Sequence, residues 1–169
     1  MNLLLSSPGF KYYFAMAEYI GWAIMAVLFV LSVIAFWRCF TKAGEKGWKA
    51  IIPFYRQYIM FKLAWNTAQF KYWLIPTILS YIFMSGLMFF PEASPIYLVI
   101  SVLWFIAYII SFVFICKMYI RFALAYGKTA GYGAAMAVCE RLLSFLYPVA
   151  IVLFMIIAFG KSEYQGPRD

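Results

Sequence analysis

Residues 96–116 read IYLVISVLWFIAYIISFVFIC, twenty-one positions without a charge, closed on the C-terminal side by Lys117. An α-helix rises about 1.5 Å per residue, so about 20 residues cross a hydrocarbon core of roughly 30 Å. The stretch is long enough to span a bilayer and too apolar for a surface helix. The whole chain is of the same kind, with 67% of its 169 residues hydrophobic and 12% charged, against about 45–50% and about 25% in soluble domains. That balance leaves too little polar surface to clothe a water-soluble fold. Lipid must be part of the solvent.

Working outward from that segment, three more stretches fit the same length: 19–37, 73–90 and 142–159, none with a charge inside. Together they predict an all-α, polytopic membrane protein with four transmembrane helices. It forms one integral membrane domain over 1–169, because no soluble insert separates the spans. Pro76 falls in the first turn of its span, where a missing N–H costs little. Pro148 falls inside the last span, where it frees the Ser144 carbonyl and is expected to kink the helix. The first eleven residues lack the basic start of a cleavable signal, so the first span is expected to be a retained anchor.

Charge sets the orientation. Arg38, Lys42, Lys46, Lys49, Arg56, Lys62 and Lys71 face a single acid, Glu45, in the first connection. The second connection, 91–95, holds no base, and the third carries Lys117, Arg121, Lys128 and Arg141 against Glu140. Basic loops stay cytoplasmic, so both long connections are expected inside and both termini outside a cell membrane. Residues 47–65 mix large apolar side chains with spaced bases. That mixture predicts an interfacial amphipathic segment, with Lys42, Lys46, Lys49, Arg56 and Lys62 contacting anionic headgroups. The net charge of +8 is then a membrane-surface feature, and no nucleic-acid partner is expected.

The absence of histidine removes Ser–His catalysis, histidine metal sites and the usual pH switch. Cys39, Cys116 and Cys139 are odd in number and lack C-x-x-C spacing, which argues against a disulfide framework or a metal site. No catalytic residue, cofactor or metal is expected. Among the few carboxylates, Glu140 stands beside Arg141 at the mouth of the last span, with Ser144 one turn on. These three are the candidate pore-lining or intramembrane polar groups. A charge at the bilayer centre costs about 2.5–3.5 kcal/mol on insertion scales and is kept where it is paired or used. Adjacent opposite charges also mark an interfacial boundary, and that plainer account stands beside the first.

Ala123, Gly127, Gly131, Ala135 and Cys139, four apart, fit a small-residue packing stripe or a glycine-rich turn. Gly127-Lys128-Thr129 lacks the rest of a phosphate-binding loop. Residues 42–50 and 126–134 each place a basic glycine turn and an aromatic after an inward-going helix, a faint echo of two parallel halves. Aromatics near the span ends, Trp37, Trp48 and Trp73 among them, fit interfacial belts.

Two groups of residues carry a resemblance. One is Lys42-Ala43-Gly44, Gly47-Trp48 and Ile52-Pro53-Phe54-Tyr55. The other is Ala125-Tyr126-Gly127-Lys128 with Gly131-Tyr132, Tyr147-Pro148, Ala158-Phe159-Gly160 and Ser162-Glu163-Tyr164. Together they resemble a family of small bacterial integral membrane proteins of unknown function, which implies a bacterial inner membrane. Arg56 stands where that family's pattern usually has asparagine. Members are often labelled signal peptidase I. A serine–lysine peptidase needs a serine and a neutral lysine within reach on the outer side. Lys161, with Ser162 and Glu163 in a polar tail, does not meet that need, so the chain is not expected to be an enzyme.

Two functions remain. One is an oligomeric channel or transport component, since four short helices enclose little room for an aqueous path. The other is a non-conducting scaffold or regulatory subunit for a membrane partner, favoured by the scarcity of intramembrane charge.

Overall fold

Pro8–Lys42 forms one helix, α1, with no charge between Glu18 and Arg38 to draw its middle into water. It stops where Gly44 takes φ +78°, and the Glu45 N–H closes on the Phe40 carbonyl at 2.9 Å. A 3-10 turn, Gly47–Ala50, leads to α2, Pro53–Ala64. Asn66 then caps α3, Thr67–Gly86, by accepting from the Gln69 N–H at 3.0 Å. A second 3-10 turn, Leu87–Phe89, precedes α4, Pro95–Ala125, which Ser94 caps. α4 ends as α1 does, with Gly127 at φ +71° and the Lys128 N–H on the Ala123 carbonyl at 2.9 Å. Then come α5, Ala130–Ala137, a π turn, Val138–Leu142, and α6, Tyr147–Phe159. The structure, a computed structural model, describes residues 8–142 and 146–167, and among these there is no strand.

Three helical stretches are long and apolar enough to cross a membrane: Ala15–Lys42, Thr67–Phe89 and Pro95–Ala125. The fourth expected span, 142–159, is not among them. α6 has 13 residues, about 20 Å of helix against a core of roughly 30 Å. Pro148 begins that helix instead of kinking its middle, because proline is suited to a first turn that needs no intrahelical N–H. The other end of α6 is tied to α1, where Lys42 Nζ donates to the carbonyls of Ile157, Gly160 and Ser162 at 2.9, 2.7 and 3.1 Å.

Those bonds, with Phe36 on Phe154 at 4.4 Å, set α6 parallel to the end of α1. α5 runs back along α4 so closely that a Cβ on Gly133 would lie 2.5 Å from Ile120 Cα. Together α5, the π turn and α6 make a hairpin that enters and leaves the bundle at one end. The C-terminal segment sits at that same end as the basic loop, with Tyr164 donating to the Leu63 carbonyl at 3.0 Å. The expectation placed both termini on the face opposite the basic loops, whereas residues 160–165 pack at the basic end. Ser144 lies outside the described residues, as does the start of the chain, residues 1–7.

The core is concentrated at the basic end, where Phe40, Met60, Phe61, Tyr119, Phe122 and Met136 are fully buried. One side of α2 is held against the bundle. Ile59, Met60, Phe61, Leu63 and Ala64 are all buried, and the helix packs beneath α3 and α4. Its aromatic rings explain the position, since Phe61 meets Trp73 at 5.5 Å and Tyr58 meets Phe70 at 5.4 Å. Among the described residues, α1 packs substantially only on α6 and the first 3-10 turn, so Tyr19, Trp22, Met25 and Phe29 stay exposed.

Candidate functional site

The π turn carries Glu140 and Arg141 to the far end of the hairpin. A π turn holds an extra residue per turn and so re-aims the side chains that follow it. Glu140 Oε2 accepts from the Tyr119 hydroxyl of α4. Arg141 borders a cavity of about 30 Å³ with Tyr108, Ser111, Phe112 and Ile115. Ser111 and Tyr108 stand six and nine residues before Lys117, about 9 and 14 Å along the helix axis. Arg141 therefore points into the apolar part of α4, away from the basic end. Beside it, Ser111 and Thr77 share a hydroxyl hydrogen bond at 2.6 Å that ties α4 to α3.

A second guanidinium approaches from α2. Arg56 lies 4.7 Å over the Phe36 ring, Phe36 meets Phe154, and Phe154 meets Tyr119 at 5.8 Å. Arg56 Nε and Gln57 Oε1 are buried without a hydrogen-bond partner among the described residues. Tyr119 is fully buried and carries the Glu140 carboxylate on its hydroxyl.

Of the sequence-predicted groups, Glu140 and Arg141 meet α4 here, and Ser144 cannot be assigned a contact. The five expected lipid-contact residues do not form one strip. Lys42 is used on the α6 carbonyls, and Arg56 stacks on Phe36. Lys49 and Lys62 both donate to Glu45, at 2.5 and 2.6 Å. These bonds, Lys49 first, hold the Glu45 carboxyl below its usual range, and the same contact holds Lys62 above its own. Lys46 stays exposed, with no partner among the described residues.

Tyr119 was not singled out in the sequence. A tyrosine near a span end reads as part of a belt, and nothing local pairs it with a glutamate 21 residues on. Cys39 is buried, Cys116 and Cys139 are partly buried, and among the described residues no three metal-ligating side chains cluster. A larger depression of about 530 Å³ lies elsewhere, between Lys42 and residues 160–164. Of its two lysines, Lys42 is already engaged on carbonyls and Lys161 is exposed, so the Tyr119 cluster is the stronger candidate. Comparison of the chain with protein-family models, curated proteins and solved structures finds no match.

Proposed function

We propose that the chain is a solute-transport component of a cell membrane, working as an oligomer without catalytic activity, with its basic end in the cytoplasm. The observation that carries this reading is the charged π turn at the depth of the spans, with Glu140 on Tyr119 and Arg141 beside Tyr108 and Ser111. Irregular backbone at membrane depth is kept where protein covers it or where it lines water. Charges there mark solute paths or relays.

The orientation draws support from Lys161, which joins the basic end through the returning hairpin and adds to the charge asymmetry. Resemblance to the bacterial family supports an inner membrane. Oligomerisation is supported by the apolar outer half of α1, which has no packed helix of its own chain. The test is solute flux in proteoliposomes. The parent should pass ions or a small dye above empty vesicles, and Glu140→Ala or Arg141→Ala should change the rate by about tenfold, one lost charge contact. A flux-silent parent sinks the proposal.

One observation favours the second reading, a non-conducting scaffold. The cavity at Arg141 holds about 30 Å³, room for a water or two, so a single copy offers no through path. The scaffold reading expects a partner complex and no flux.

A further inference from the structure

We propose that Arg141, Ser111 and Tyr108 form a binding site for a single halide ion between the π turn and α4. The site rests on the transport reading's placement of the π turn at membrane depth, and it gives that reading a solute class. The unpaired cation is the first argument. A charge among apolar side chains is kept where it is paired or used. Arg141 makes no ion pair or hydrogen bond among the described residues, since Glu45 serves Lys49 and Lys62 and Glu140 accepts from Tyr119. Its guanidinium therefore offers a positive charge and N–H donors that no protein acceptor uses.

The space beside it is the second argument. Tyr108, Ser111, Phe112 and Ile115 form one face of α4, and Arg141 borders the same cavity. At about 30 Å³, the cavity has room for a water or two. That excludes phosphate, sulfate and organic anions, and it admits one bare halide. Phe112 and Ile115 cannot replace the water that such an ion sheds. Chloride and bromide, which hold water less tightly than fluoride, fit that wall best.

The hydroxyls supply the third argument. Thr77 Oγ1 lies 2.6 Å from Ser111 Oγ and 2.8 Å from the Trp73 carbonyl, so its one proton has two acceptors. When that proton turns to Ser111, the Ser111 proton is left over for an anion in the cavity. Tyr108, whose hydroxyl has no hydrogen-bond partner among the described residues, lines the same space.

The test uses the full chain in a neutral maltoside detergent and sodium gluconate buffer, with chloride as the probe. Chlorine nuclear magnetic resonance reads binding as extra line width that a competitor removes. The parent should broaden the line, and bromide should displace chloride while sulfate should not. Arg141→Gln should bind about tenfold more weakly, the loss of one charge-assisted contact, with Arg141→Lys between it and the parent. Ser111→Ala should lose about fivefold, one hydroxyl contact. Thr77→Val removes the same α3–α4 hydrogen bond but leaves the Ser111 donor, so it should melt with Ser111→Ala and bind like the parent. A purely structural role for the hydroxyl pair would not separate those two variants. Lys46→Gln, at an exposed base on the first loop, should also match the parent.

A cavity that holds only water gives no displaceable broadening, and that result overturns the site. Equal loss in Lys46→Gln, or a loss in Thr77→Val as large as in Ser111→Ala, overturns it too. So does displacement by sulfate as readily as by bromide. Should Arg141→Gln fail to fold, Ser111→Ala against Thr77→Val decides the matter alone. Binding without flux keeps the site and removes the transport reading, while flux without binding does the reverse.

Discussion

At Gly133 an added Cβ would lie 2.5 Å from Ile120 Cα and 2.6 Å from the Tyr119 carbonyl oxygen, backbone atoms that cannot swing aside. Gly131, two residues earlier on α5, meets nothing within 4 Å. Gly133→Ala should therefore cost about 1–3 kcal/mol by forcing α5 off α4. Gly131→Ala should be neutral or gain a few tenths of a kcal/mol from helix propensity. Thermal unfolding in detergent compares the two. Glu45 makes a second prediction at this scale. Its folded pKa is depressed by Lys49 and Lys62, so the pairing stabilises above the unfolded value near ~4.3 and is lost as pH falls through the lowered one. For Lys62, raised by the same contact, the contribution is present below about 10.4 and lost as pH rises through the folded value. The Lys62 side chain is 48% exposed, which limits that pair to about 1 kcal/mol or less. Glu45→Gln should melt a few degrees below the parent at neutral pH. The gap should close on acidification; a constant gap would show that pairing is not its source.

Among the elements, the three long helices were legible because uncharged length alone decides a span. Their ends were not, since the helices run on past the apolar limit to Lys42 and Ala125, where Gly44 and Gly127 turn the backbone. The hairpin was less legible for a different reason. Residues 142–159 have the length of a span, and a proline reads alike in a helix interior and in the first turn of a shorter helix. What separates the two cases is a contact between Lys42 and the Ile157 carbonyl, 115 residues apart. Of the candidate site, the sequence offered Glu140 and Arg141 as neighbours but not the tyrosine that long-range packing brings to Glu140. The Lys42 cap leads to a prediction for α6. Its ammonium serves carbonyls that the helix end leaves unpaired and complements the negative end of the helix dipole. Lys42→Met should cost about 1.5–3 kcal/mol, the range for hydrogen bonds to a charged group. It should also speed amide exchange at Ala158 and Gly160 while leaving α3 unchanged, as mass spectrometry of exchanged fragments would resolve. Equal exchange in both proteins would mean that the cap does not hold the hairpin.

At the scale of the whole molecule, the bundle is uneven, densely packed where α1, α2, α4 and α6 end together and open where α1 stands alone. The unevenness follows from the hairpin's half height, and it fixes which parts of the chain share a side. Tyr126 donates to the Cys39 carbonyl at 2.6 Å, and the Gln165 N–H reaches the Ala125 carbonyl at 2.8 Å, so the tail packs at the same end of the bundle as the basic loop. Single cysteines placed at Lys46, Glu92 and Lys161, all exposed, turn this into a labelling experiment with a membrane-impermeant maleimide on intact and opened cells. The parent supplies the background, since its thiols are buried or partly buried. Lys46→Cys and Lys161→Cys should react only after the cells are opened, and Glu92→Cys in intact cells. A four-span bundle would instead group position 161 with position 92, and that pattern would remove the hairpin together with the site built on its π turn.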